Sequence, residues 1–292
     1  MLVVTLDLPI PRAGAYNARM NDLPPRRRFT VGCVSFLNSR PLIEGIDQRA
    51  DVDVHFAVPS ALLDGLIADE TDVALCPVMD YQASPEPLTI VPVGGIGCDG
   101  PTLTVRLFSR RPMCELDEVY VDTDSHTSVQ LLRVILARRF GCRPTLRPFD
   151  AEEGEADRDA MLLIGDKVVT HRPDGEDYPH QLDLGEAWKA MTGLPFVFAV
   201  WMAKRDTDLG DLPHVLDRQR QTNAQCIDEI VARHAGACGW PADLARRYLG
   251  ELLRYAVGER ELAAMRQFWN DVAELGAIRD VRPMQVYGAA PA

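Results

Sequence analysis

No stretch of this chain approaches the roughly 20 consecutive apolar residues that a membrane-crossing helix needs. Surplus positive charge is also missing: 31 lysines and arginines stand against 43 aspartates and glutamates, a net charge of −12 at pH 7. A nucleic acid or an anionic membrane surface requires a basic face, so neither is expected as a partner. An acidic protein can still hold a small anion in a locally positive pocket. The seven cysteines, at positions 33, 76, 98, 114, 142, 226 and 238, form no CxxC pair. That excludes the usual zinc knuckle and dithiol redox motifs and points to reduced thiols in the cytoplasm. His55, His171, His180, His214 and His234 show no metal-ligand spacing, so no metal is expected. Walker, GxSxG and HExxH motifs are absent, and the glycine-rich run at 94–100 has neither GxGxxG order nor a following helix. A dinucleotide cofactor is therefore not expected either.

What is there is a globular composition, 47% hydrophobic and 25% charged over 292 residues. That suits one large domain or two of ordinary size around a sizeable core. The N-terminus does not read as a signal peptide: "MLVVTLDLPIP" lacks a basic lead, and Asp7 and two prolines cut its apolar run. Residues 1–28 carry five arginines against two aspartates and are expected to be a disordered, solvated tail, with Met20 an alternative start.

From residue 29 the pattern becomes regular. "RFTVGCVSF" reads as a buried strand and "DVDVHFAV" as a second. "PSALLDGLIADE" is a helix with proline at its start, and "TDVALCPV" is a third strand. Strand, helix, strand at this spacing is a right-handed βαβ unit. Residues 88–112 hold two strand-like runs around "GGIGCDGP", read as a loop at a sheet edge and a strand leaving the first unit. The pattern then restarts at 119: a strand, a polar turn over 122–128, and a helix from about 126 to 140 with Val129, Leu132, Leu136 and Phe140 on one face and Gly141 as its stop. "PTLRPF" and "AMLLIGDKVV" are strands, "LDLGEAWKAMTG" a short helix, and "PFVFAVWMAKR" a long apolar strand running back. Helices are expected over 211–235, 241–255 and 258–275. This layout is α/β and two-lobed, with residues 29–108 and 203–285 as lobe I, 109–202 as lobe II, and two mixed sheets. Open α/β folds bind ligands beyond the carboxyl ends of their strands.

Several polar turns fall at such ends. "DTDSHTSV" brings Ser125, His126, Thr127 and Ser128 to a helix start, where Ser125 or Asp124 can cap and free N–H groups can receive a carboxylate or phosphate. The same residues also make an ordinary cap, and His126 is either a general base or a solvated first-turn histidine. "LLIGDK" places Gly165 where a ligand can approach the backbone, and Asp166 where it orients a donor or caps the next turn. "VSFLNSRPL" puts Asn38, Ser39 and Arg40 at the mouth of the first strand, with Asn38 either a cleft amide or a turn residue before Arg-Pro.

Taken together, "SFLNSRPL", "DVALCPVMDYQ", "DGPTLTVRLFSRRP", "VDTDSHTSVQLLRVIL", "LLIGDKVV" and "LDLGEAWKAMTGLPFVFAVW" resemble the chorismate dehydratases of the futalosine route to menaquinone over about 29–280. The resemblance implies a fold like the type II periplasmic binding proteins, used as a cytoplasmic enzyme without cofactor. It implies a small dicarboxylate substrate, chorismate, losing water to give 3-[(1-carboxyvinyl)oxy]benzoate. It further implies that Asn38 is catalytic and that Ser39, Arg40, Thr102, Ser125, His126, Thr127, Ser128, Gly165 and Asp166 surround the substrate. His126 and Cys98 depart from the family pattern. The base is left open between His126, the substrate's own carboxylate, and neither. The alternatives are a dihydroxynaphthoate synthase of the same route, whose usual Ser-Pro-Cys-Pro-Asn opening is absent here, and a non-catalytic solute receptor. Oligomeric state is not legible.

Overall fold

The computed structural model describes residues 27–122, 125–149 and 158–289. Most of the tail expected over 1–28, Met20 included, lies outside the described residues, as does Asp124.

The chain first lays down β1 (Phe29–Cys33), β2 (Val52–Phe56), β3 (Val73–Pro77) and β4 (Leu88–Cys98). It then builds β5 (Val105–Ser109), β6 (Glu118–Asp122), β7 (Thr145–Phe149), β8 (Ala160–Ile164) and β9 (His180–Asp183). It returns through β10 (Phe196–Lys204) and adds β11 (Leu253–Arg254) among the C-terminal helices. Two sheets result, ordered β11-β4-β10-β3-β1-β2 and β7-β6-β8-β5-β9. Both are mixed: β1 runs parallel to β2 and β3 while β10 is antiparallel to β3 and β4, and β6 is parallel to β7 and β8 while β5 is antiparallel to β8 and β9. The exchange of sheets falls at 99–104 going out and 184–195 coming back.

Strands covered on both faces read as unbroken apolar runs. "VALCP" in β3 and "AMLLI" in β8 are buried at every position. Helix His126–Arg139 starts at Ser125, whose side chain accepts from the Ser128 N–H, and is followed by Gly141 at φ +69°. Its buried apolar positions are Leu131, Leu132, Val134, Ile135 and Leu136, a wider face than the expected stripe. The reason is a second neighbour: helix Glu259–Glu274 lies alongside, and Arg138 pairs with Asp271 at 2.8 Å across that contact.

Three expectations are corrected. The glycine run is strand, not loop, and β4 is flanked by β10 and β11 rather than lying at an edge. A Cβ on Gly95 or Gly97 would stand 2.6 Å from the carbonyl oxygens of Ala199 and Phe196 on β10. These glycines let an irregular, bulged β10 pair closely. The helix expected over 211–235 is two, Leu212–Asn223 and Ile227–His234. The one expected over 241–255 ends in a π turn at Tyr248–Leu252, after which the chain becomes β11.

The crossings are locked from inside. Trp188, Phe196, Phe198 and Phe268 form edge-to-face contacts with centroids 4.7–5.9 Å apart. Buried Asp183 caps helix Leu184–Thr192 by accepting from the Glu186 N–H, and also accepts from the N–H groups of Thr102 and Leu103 at 3.0 and 2.8 Å. One carboxylate thus ties the outgoing crossover to the returning one.

Candidate active site

Between the two sheets lies a cleft of about 600 Å³, counting the open solvent at its mouth. Val34, Phe36, Leu75, Pro77, Ile96, Val105, Ile164 and Phe198 form its apolar walls. Its polar lining consists of Asn38, Thr102, Thr104, Ser125, Ser128 and Tyr248, with Gly165 supplying backbone. No acid, histidine, lysine or arginine is among the described lining residues. The cleft therefore offers neutral donors and acceptors rather than fixed charge.

Asn38 sits in the 3-10 turn Leu37–Ser39 that follows β1. Its Oδ1 is buried and has no hydrogen-bond partner, alone among the described lining side chains. Ser39 does not face the cleft: its hydroxyl donates to the carbonyls of Val34 (2.7 Å) and Phe36 (2.9 Å), closing the turn that presents Asn38. Arg40 has no carboxylate partner among the described residues. Its guanidinium packs over the ring of Phe56, 5.4 Å from the centroid.

Of the four residues at the start of helix His126–Arg139, Ser125 and Ser128 line the cleft, with their hydroxyls 3.1 Å apart. Thr127 and His126 are turned elsewhere. Thr127 Oγ1 accepts from the Met79 N–H at 3.2 Å, and His126 Nδ1 lies 2.8 Å from Asp80 Oδ1. Both contacts reach the short helix after β3, so they fasten one sheet's helix to the other sheet's loop. The hydrogen bond that His126 donates to Asp80 holds the His126 pKa above its ordinary value. Burial pushes the Asp80 carboxyl up, and the His126 contact only partly offsets this.

Gly165 takes φ +65° and donates its N–H to the Thr104 carbonyl at 2.8 Å. Asp166 next to it accepts from Trp240 Nε1 at 2.9 Å, and burial pushes its carboxyl up. Its partner Trp240 comes from the C-terminal helices, so it too spans the halves of the molecule. Thr102 is buried at the cleft wall, held by Asp183 through its N–H.

Three site residues escaped the sequence reading: Thr104, Trp240 and Tyr248. Tyr248 OH lies 2.7 Å from Thr104 Oγ1, and its ring stacks on Trp240 with centroids 4.8 Å apart at 16°. Thr104 sits in a run that reads as plain strand, Tyr248 in one that reads as plain helix, and Trp240 in the short connection between two expected helices, none with a polar cluster to mark it. Burial pushes the Cys33 and Cys98 thiols up to about 12, so neither is poised as a nucleophile. Among the described residues no group of three His, Cys, Asp or Glu is arranged to hold a metal.

Two lobes each built on a mixed sheet, with a crossing pair and a cleft between them, define a periplasmic-binding-protein-like fold. The alkanesulfonate-binding protein SsuA of Xanthomonas axonopodis pv. citri, solved with MOPS bound, aligns with a TM-score of 0.63 at 13% identity, covering 89% of this chain and 96% of that one. A Candida albicans protein described as having the generic periplasmic binding protein fold aligns at 0.61, also at 13% identity, covering 89% and 92%. Sequence narrows the class: residues 29–274 match the family model for menaquinone biosynthesis, and the chain belongs to that family. A chorismate dehydratase of Thermus thermophilus is 27% identical over 261 residues, 83% of this chain and 94% of that protein.

Proposed function

We propose that this protein is a cytoplasmic chorismate dehydratase that converts chorismate to 3-[(1-carboxyvinyl)oxy]benzoate and water. Family membership and the similarity to the Thermus enzyme support the substrate. The observation that carries the reading is the cleft itself: hydroxyls, one amide and backbone, with no ionised side chain along its described lining.

Such a lining suits this reaction. Chorismate is a dianion, and a carboxylate at the cleft would repel it by about 1 kcal/mol at 4 Å in water and more in a closed site. The C3 proton is vinylogous to the ring carboxylate, so its removal delocalises charge through the ring diene onto that carboxylate. Loss of hydroxide from C4 then aromatises the ring. The proton and the hydroxide together account for the water. With no histidine or carboxylate at the described lining, the substrate's own enolpyruvyl carboxylate is the base closest to C3. The protein's part is to hold that carboxylate over C3, to place donors where charge grows, and to keep water away. Each donor so placed contributes about 3 kcal/mol in comparable sites. In this reading Asn38 orients the reacting edge of the substrate. Ser125 and Ser128, at the positive end of helix His126–Arg139, hold a carboxylate. Arg40, with no carboxylate partner among the described residues and its guanidinium over Phe56, offers a positive charge two residues from Asn38.

The test is direct. Purified protein is incubated with chorismate, and the products are separated and weighed by mass spectrometry. We expect a product lighter by one water, formed well above spontaneous chorismate decay. Tight binding of chorismate without turnover would instead assign the chain to solute binding and overturn the reading.

A further inference from the structure

The return crossing opens with "LDLGEAW", whose Asp183 and Gly185 both press on the outgoing segment 99–104. Asp183 ends β9, and its carboxylate is buried. Oδ1 accepts from the N–H groups of Thr102 at 3.0 Å and Glu186 at 3.1 Å. Oδ2 accepts from the Leu103 N–H at 2.8 Å, with the Arg106 guanidinium 3.4 Å away. Gly185 meets the same segment with no side chain between. A Cβ there would stand 2.5 Å from Cys98 Sγ, 2.7 Å from the Gly100 carbonyl oxygen and 3.2 Å from Thr102 Cβ. At the centre of this clamp Leu103 takes φ +69°, a left-handed backbone that is strained for a leucine. Such strain persists only where the surroundings over-determine it, and it collects at functional sites. Here the residues on either side of the strained one, Thr102 and Thr104, both line the cleft.

The two threonines are held differently. The Thr104 carbonyl accepts from the Gly165 N–H at 2.8 Å, and its Oγ1 lies 2.7 Å from Tyr248 OH. Among the described residues, the hydrogen bonds of Thr102 are those of its N–H to the two Asp183 oxygens. The placement of the Thr102 hydroxyl therefore depends on that carboxylate. We infer that Asp183 is a positioning residue for the reaction: it holds the outgoing crossing in its strained form so that the Thr102 hydroxyl faces the substrate, and Gly185 leaves the space this requires. The inference rests on the chorismate reading for the ligand's identity, with Thr102 as one of the neutral donors placed where charge grows. The arrangement keeps the negative charge behind the cleft wall. Asp183 is not among the described lining residues, and its charge is met by Arg106 and three backbone N–H groups.

A double-mutant cycle tests it. Asp183→Asn keeps an oxygen for the Glu186 N–H, since asparagine caps a helix as well as aspartate does. It places an NH₂ where Oδ2 accepted from Leu103, donor against donor. In the wild-type background it should lower kcat/KM for chorismate about 30-fold, inside the roughly 100-fold that a shift of about 1 Å in a positioned group can cost. In a Thr102→Val background the same change should cost less than about threefold, because the carboxylate acts through that hydroxyl. A second readout needs no substrate. Three-bond NMR couplings to Thr102 Cγ2 should report a single side-chain rotamer in the wild type and averaging between rotamers in Asp183→Asn. If Asp183→Asn does not fold, Asp183→Ser carries the same cycle and the same couplings, because serine still caps the helix but is too short to reach Leu103. Equal losses in both backgrounds, or Thr102 couplings that stay unaveraged, overturn the inference. Absence of turnover by the wild type together with averaged couplings in the variant would instead overturn the chorismate reading and leave the positioning role supported.

Discussion

Two polar turns border this cleft, and their fates differ. The turn at 125–128 is the richer in sequence, with three hydroxyls and an imidazole in four residues. In the fold half of it is occupied: Thr127 holds the Met79 N–H and His126 pairs with Asp80. The turn at 38–40 looks poorer, yet it leaves Asn38 Oδ1 buried with no partner among the described residues. Its neighbour Ser39 is spent on closing the turn. Polar richness therefore does not measure availability. A group is available for a ligand only when no other segment of the chain arrives to satisfy it. At 125–128 the segment after β3 arrives, and at Asn38 Oδ1 no described residue does.

The comparison can be broken most sharply at Asn38. We expect Asn38→Ala to lower kcat with chorismate by about 100-fold or more, and Asn38→Asp to do at least as much by placing a carboxylate against a dianion. Circular dichroism should be unchanged for both. An Asn38→Ala variant keeping a third of wild-type kcat would make Asn38 a turn residue and erase the contrast. Next comes the available half of the richer turn. Ser128→Val should raise KM about tenfold with little change in kcat, the loss of one hydrogen bond to a charged group; an unchanged KM would reduce that hydroxyl to part of the cap.

The occupied half should respond in stability instead. Thr127→Val leaves the Met79 N–H without its acceptor, and should lower unfolding free energy by about 1–2 kcal/mol in a urea titration while KM moves less than in Ser128→Val. A large KM effect without loss of stability would mean that Thr127 faces the ligand after all. Asp166→Ala belongs with it, since Trp240 loses its acceptor, and about 1–3 kcal/mol is the corresponding scale.

The smallest effect is a pH dependence. Asp80 raises the folded pKa of His126 above its unfolded value near 6.5. The protonated form is thus the one that folding favours, so its contribution is complete below about pH 6.5 and fades as pH rises through the folded value. His126 is half exposed, so the contribution is under about 1 kcal/mol. The stability gap between wild type and His126→Gln should therefore be larger at about pH 5.5 than at about pH 8.5. A gap that grows with pH would mean that the imidazole pairs with something other than a carboxylate.

Much of the frame was readable in the chain. β3 and β8 announce themselves as unbroken apolar runs bounded by proline or glycine, and helix His126–Arg139 carries its own cap and stop. These signals are local, because hydrophobic burial and end-capping act over a few residues. The glycines of β4 misled because their reason is not local: Gly95 and Gly97 are small so that β10, about a hundred residues later, can press its carbonyls against them. Tyr248 and Thr104 were silent for the same cause, each ordinary in its own run and meaningful only at 2.7 Å from the other.

By itself, then, the sequence determined the alternation of strands and helices, the restart that makes two sheets, and the polar character of the turns at the strand ends. Those follow from periodicity, capping and chain connectivity, which neighbouring residues settle among themselves. Which polar atoms remain unsatisfied was decided only in the tertiary structure. A hydrogen bond between residues 104 and 248, or between 79 and 127, depends on segments that meet only after the sheets have formed. The chemistry of the cleft depends on which of those meetings take place.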